Sequence, residues 1–168
     1  MFFNSKSYHI SNYTSDKKGL VGLENEFFLD LESSLSDELV GAFDVVFNHT
    51  TLEHIYDFRL AMHNLARMSR NVVITVVPYL QQLHGSGYSD YWRFTPYALD
   101  RMFKEEGMVL RYCSANGGDR ASIYLFAIAL HEPTSHPEIP DRFDVALDPT
   151  KPLYGRRARN VIGGRIVG

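Results

Sequence analysis

The sequence predicts an α/β domain with a mostly parallel sheet. The apolar period switches repeatedly between strand and helix along the chain, which is the mark of alternating elements rather than of an all-α or all-β fold. Residues 71–77 (NVVITVV) form an almost wholly β-branched run that ends at Pro78, a strong strand signal. Thr95 followed by Pro96, with Leu99, Met102 and Phe103 on one face and Gly107 beyond, marks a helix with both ends specified. The 168 residues are 45% hydrophobic and 22% charged, the composition of one ordinary globular domain.

Taken in order, residues 26–31 (EFFLDL) predict a short strand ending in an acid, and Ser33, Ser34 and Ser36 a loop. Residues 42–48 (AFDVVFN) are continuous rather than alternating, which predicts a strand covered on both faces. Asp57 is placed to cap a helix whose apolar stripe is Phe58, Ala61, Met62, Leu65 and Met68. Residues 78–93 (PYLQQLHGSGYSDYWR) have neither period and predict a long loop. Residues 108–114 and 121–131 predict two strands joined at Asn116-Gly117-Gly118-Asp119 as an antiparallel hairpin. Beyond His131, Pro133, Pro137, Pro140, Pro149 and Pro152 remove regular structure. The expected organisation is therefore an α/β domain over 1–131 and a Pro-rich, Arg-containing arm over 132–168 that packs little.

Charge and cysteine usage narrow the function classes. A net charge of −3 with mixed signs offers no field for tracking a phosphate backbone, so no nucleic-acid partner is expected. Arg156, Arg157, Arg159 and Arg165 lie in an acid-free terminus, expected to be solvated. No apolar run has the ~20 residues a spanning helix needs, so no membrane partner is expected. The single cysteine, Cys113, excludes an internal disulfide and fits a reducing cytoplasm; it is expected in the core. His49 and His54 flank Glu53 five residues apart, whereas the H-x-x-E-H zinc arrangement needs four, so no metal site is expected there. A hydrolase built on His84 and Asp90 lacks a nucleophile.

Ligands of open parallel sheets bind outside the carboxyl ends of the strands, which makes the loops after Leu31, Asn48 and Pro78 the candidate site walls. The segments FDVVFNHTTLEHIYD (43–57), VVITVVPY (72–79) and DYWRFTPYALDRMFKEEGM (90–108) resemble the distal half of class I S-adenosylmethionine-dependent methyltransferases, over roughly residues 24–130. The resemblance implies a Rossmann-like seven-stranded sheet whose last two strands form an antiparallel hairpin. It also implies S-adenosylmethionine as cofactor and a small-molecule oxygen or nitrogen as methyl acceptor. The family's glycine-rich turn after its first strand has no counterpart: Gly19 and Gly22 are too sparse and Gly163-Gly164 follows no strand. The family's second strand falls near residues 7–13, so the sheet is expected to be N-terminally truncated, with its exposed neighbour strand completed by a second copy or another chain.

By the same resemblance Asp30, with Leu31, takes the position that holds the adenine amino group; its alternative is an acid in a strand-end loop. Asn48, His49 and Thr50 are expected to line the cofactor cleft or merely to end a strand. His54 and His84 are the candidate proton acceptors, His54 alternatively a half-buried structural histidine. Asp90, Tyr91, Trp92 and Arg93 fall on the acceptor side, with Arg93 orienting an anionic substrate; alternatively the rings anchor the loop and Arg93 pairs with Asp90. Two functions follow: a methyltransferase, or an inactive half-domain that serves as a binding or oligomerisation module.

Overall fold

A computed structural model describes residues 7–13, 22–84, 88–116 and 123–143. Its elements are β1 (Ile10–Asn12), β2 (Glu26–Phe28), β3 (Phe43–His49), α1 (Phe58–Met68), β4 (Ser69–Leu80), α2 (Pro96–Glu105), β5 (Val109–Ala115), β6 (Ile123–Leu130) and β7 (Arg142–Phe143). They form a five-stranded mixed sheet of order β3-β4-β6-β5-β7 and a separate parallel pair, β1 and β2. β3 and β4 run parallel, while β6 runs antiparallel to both β4 and β5, so the expected hairpin is present. Among the described residues the strands fall into a pair and a five-stranded sheet rather than into one continuous sheet. The hairpin tip 117–119, Gly19, Gly163-Gly164, and the arm from residue 144 with its four arginines, Pro149 and Pro152 lie outside the described residues.

Both helices start where their caps predict. The Asp57 carboxylate accepts from the Leu60 amide at 3.1 Å, and the Thr95 hydroxyl from the Ala98 amide at 3.1 Å. Gly107, at φ +70°, closes α2: the Met108 amide reaches back to the Phe103 carbonyl at 2.9 Å, a reversal that disfavours a Cβ. The apolar stripes of both helices pack on one face of the sheet, where Leu65, Met62, Leu99 and Phe103 meet Val46, Val73, Val77, Leu125 and Cys113. On the opposite face a smaller cluster, Val72, Ile74 and Leu130, is closed by Ile139.

That one-sided arrangement corrects the expectation for β3. Only Val46 and Asn48 are buried, under the helices, whereas Val45 and Phe47 are exposed, Phe47 to 60%. The run is apolar on both faces but covered on one. β4 also differs, running on through Pro78 to Leu80. β3 makes its last pairing opposite Val76, so at Pro78 the strand has a partner on one side only, and its register with β6 shifts between Pro78 and Leu80. Nor does the described start of the arm run free. Ile139 and Phe143 pack on the domain, and β7 pairs parallel with β5.

Cys113 is fully buried in β5, and burial pushes its thiol up to about 11. The folded protein is therefore expected to give no reaction with a thiol reagent at neutral pH, and one full equivalent in denaturant. Rapid labelling of the native chain would contradict this packing.

Candidate functional site

β3 and β4, being parallel, deliver their carboxyl ends to the same edge of the domain. At the end of β3 the chain turns through Thr50, whose φ of +48° is uncommon for a β-branched residue; its amide donates to the Val76 carbonyl at 2.9 Å. A single 3-10 turn, Leu52–His54, then buries Leu52 and Glu53 completely and leaves His54 partly exposed.

The loop after β4 folds back over this turn. The amides of Tyr91 and Trp92 donate to the Glu53 carbonyl at 2.8 and 3.3 Å, and the Phe94 amide donates to the Pro78 carbonyl at 3.0 Å. Trp92 anchors the loop: its indole N–H donates to the Ile55 carbonyl at 2.9 Å, and its ring meets Phe58 edge-on at 5.0 Å. Tyr91 stays exposed and touches Tyr56 edge-on. Arg93 spends all five guanidinium N–H groups inside the protein. Its Nη1 and Nη2 grip the two oxygens of Asp90, while Nε, Nη1 and Nη2 also donate to the carbonyls of Gln81, Trp92 and Gln82. Through these bonds the guanidinium clamps the loop.

Two acids of this site are driven in opposite directions. Burial opposes the charge on Asp90, but hydrogen bonds from Arg93 and the His84 amide, with the guanidinium charge, outweigh it and hold the carboxyl at about 2. Burial raises the Glu53 carboxyl, against the pull of its own backbone amide and of the nearby imidazoles. Both Glu53 side-chain oxygens are buried without a hydrogen-bond partner. The two imidazoles sit above it. His54 Nε2 is 3.8 Å from Glu53 Oε1, and the rings of His54 and His84 lie edge to face at 5.1 Å. His84 Nδ1 is 3.1 Å from Asp90 Oδ2 but off the line of a hydrogen bond.

The remaining predicted residues divide. Asn48 is buried at the strand end, with its Oδ1 unpartnered. His49 points to the other face, exposed, with Nδ1 3.0 Å from the Thr50 hydroxyl. Asp30 folds onto its own loop, accepting from the Glu32 amide at 2.9 Å and the Ser33 hydroxyl at 2.8 Å. The Leu31 side chain belongs to the core, and its carbonyl accepts from Asn64 at 3.0 Å. The structure thus brings together His54, His84, Asp90 and Arg93 and adds Glu53, which sequence reasoning saw only as a spacer. The signal for it was Leu52-Glu53 set directly between a strand end and a helix cap.

No helix among the described residues is long and apolar enough to cross a membrane. No protein-family model matches the chain, and no curated protein matches it. Among solved structures, magnesium protoporphyrin IX methyltransferase from Synechocystis PCC 6803 with bound S-adenosylhomocysteine is 11% identical, at TM-score 0.49, over 64% of this chain and 51% of that one. The 1,6-didemethyltoxoflavin-N1-methyltransferase of Burkholderia thailandensis is 15% identical, at TM-score 0.48, over 64% and 51%. A methyltransferase from Methanosarcina mazei is 10% identical, at TM-score 0.49, over 63% and 66%. The chain spans about half the length of the first two. What this mixed α/β chain is similar to, over roughly two-thirds of its length, is a set of S-adenosylmethionine-dependent methyltransferases.

Proposed function

We propose that this chain is an S-adenosylmethionine-dependent methyltransferase domain that methylates an oxygen or nitrogen of a small molecule. One observation carries the reading: the two segments that resemble the family, LEH at 52–54 and DYWRFTP at 90–96, are laced together through the Glu53 carbonyl at the carboxyl end of a parallel strand pair. The buried, unpartnered Oδ1 of Asn48 at that same edge fits a ligand that brings a donor. When bound, the cofactor supplies a methyl on a sulfonium, which leaves the sulfur as a neutral thioether.

The protein's own part is to hold the acceptor and take its proton. The Ser89 carbonyl, 2.8 Å from His54 Nδ1, only accepts, so Nδ1 carries the hydrogen and the neutral ring presents a bare Nε2. A proton arriving there makes an imidazolium whose nearest carboxylate is the buried Glu53. His84 lies beside it, next to Asp90. Proximity and exclusion of water supply the rest of the acceleration.

Calorimetric titration of the folded chain with S-adenosylmethionine and S-adenosylhomocysteine tests this. Micromolar binding is expected, weakened about tenfold by Asp30→Ala or Asn48→Ala, a loss of about 1.4 kcal/mol. A folded chain that binds neither compound overturns it. A second reading, an inactive module completed by another chain, rests on β3: it is the end strand of its sheet and its outer face carries exposed Val45 and Phe47. That reading expects a dimer in solution together with no cofactor binding.

A further inference from the structure

We propose that Glu53, His54 and His84 form a site for one divalent transition-metal ion of the zinc or cobalt(II) kind. The proposal goes beyond methyl transfer and stands on side-chain geometry alone. One ligand atom from each of the three residues lies within 4.8 Å of the other two. Around an ion with bonds of about 2.0 to 2.2 Å, tetrahedral donors sit roughly 3.4 Å apart, so small side-chain rotations close the site. The donor set, two imidazoles and a carboxylate, selects borderline metals over magnesium or calcium, which prefer an all-oxygen shell.

Three further features point to a cation. The Glu53 carboxylate is fully buried with both oxygens unpartnered, a costly state that a bound cation relieves. Arg93 has its five guanidinium N–H groups committed to Asp90 and to three carbonyls. One imidazole already has an outer partner of the sort that orients metal-binding histidines, the Ser89 carbonyl on His54 Nδ1, while His84 Nδ1 lies buried and unpartnered beside Asp90. Burial then says where the open position lies. Glu53 closes the inner side, whereas His54 and His84 are 20% and 35% exposed, so a fourth ligand enters from solvent past the imidazoles. With the ion in place, the lone pair of His54 is taken, and metal binding and proton acceptance become alternative states of one site.

The test is titration of chelator-stripped protein with Co2+, followed by its visible absorption, with Zn2+ as competitor. One equivalent is expected to bind with the intense spectrum of a four- or five-coordinate ion and to be displaced by Zn2+. Glu53→Gln and His84→Ala, each shown folded by circular dichroism, are expected to weaken binding at least about tenfold. His63→Ala and His136→Ala remove the imidazoles of two other His–Glu pairs and are expected to change nothing. Absence of stoichiometric binding overturns the site, as does binding that survives Glu53→Gln and His84→Ala or is lost in His63→Ala. No cofactor is present in this titration, so its failure and that of the methyl-transfer reading are separate results.

Discussion

Arg93→Ala is expected to be the most destabilising single substitution in the candidate site, costing about 3–5 kcal/mol, toward the lower end because the guanidinium is itself 26% exposed. The Asp90 side chain is only 2% exposed, and removing Arg93 strands its charge under the loop. The same change frees the carbonyls of Gln81, Gln82 and Trp92, so the turn on which Trp92 and His84 are mounted loses its tie to the end of β4. At this chain length the melting temperature is expected to fall by at least about 6 °C. Arg93→Lys is expected to recover little, because an ammonium is one point charge and cannot span both carboxylate oxygens and three carbonyls. Arg93→Ala combined with Asp90→Ala is expected to cost less than the sum of the two, since the stranded charge goes with the clamp. Urea unfolding of the parent and the four variants measures this. A single Arg93→Ala variant as stable as the parent would show that the loop is held by Trp92 alone.

The helices of this fold were legible because their signals are local. Thr95-Pro96 and Asp57 state where α2 and α1 begin, and the stripes after them state which side faces the sheet. The hairpin was legible for the same reason. What depends on distant partners was not. Residues 42–48 are apolar on both faces, and nothing in the run tells that α1 and α2 fall on the same side of the sheet and leave Val45 and Phe47 open. Pro78 ends a strand in most contexts; here the neighbouring strand stops first, and the pairing with β6 continues past it. In the site, the residue types of 90–93 marked the right loop, but the Asp90 to Arg93 pairing was one of two readings. Choosing between them required counting donors in three dimensions. Asp30 carries a further lesson: its oxygens accept from the Glu32 amide and the Ser33 hydroxyl of its own turn, which the residue type does not announce, and each keeps a lone pair for a further donor. Glu53 was the residue least visible from sequence, because a carboxylate in the middle of a three-residue turn is ordinarily solvated.

Glu53→Met is expected to make the metal-free protein more stable, by about 1–4 kcal/mol. The wild-type side chain puts a fully buried carboxylate where neither oxygen has a hydrogen-bond partner, next to Leu52 in the same turn. Methionine keeps the length, removes the desolvated charge and fills the space with a flexible apolar chain. The backbone role survives the change, since Tyr91 and Trp92 bind the carbonyl of residue 53 and not its side chain. Thermal and urea unfolding in chelator measure the gain, and a variant less stable than the parent by 1 kcal/mol or more, on the order of a lost buried partner, would mean that the carboxylate is held by something after all. Saturating zinc should then reverse the ranking. A ligand that binds only the folded state stabilises it by RT ln(1 + [L]/Kd), about 4.1 kcal/mol at a thousandfold excess over Kd, enough to offset the expected gain from Glu53→Met, which gives up most of that stabilisation along with its ligand atom. A buried, unpaired acid that lowers the stability of the empty protein and raises that of the loaded one is kept for what it binds, and the crossing of the two stability series with added metal separates that from an acid kept for packing.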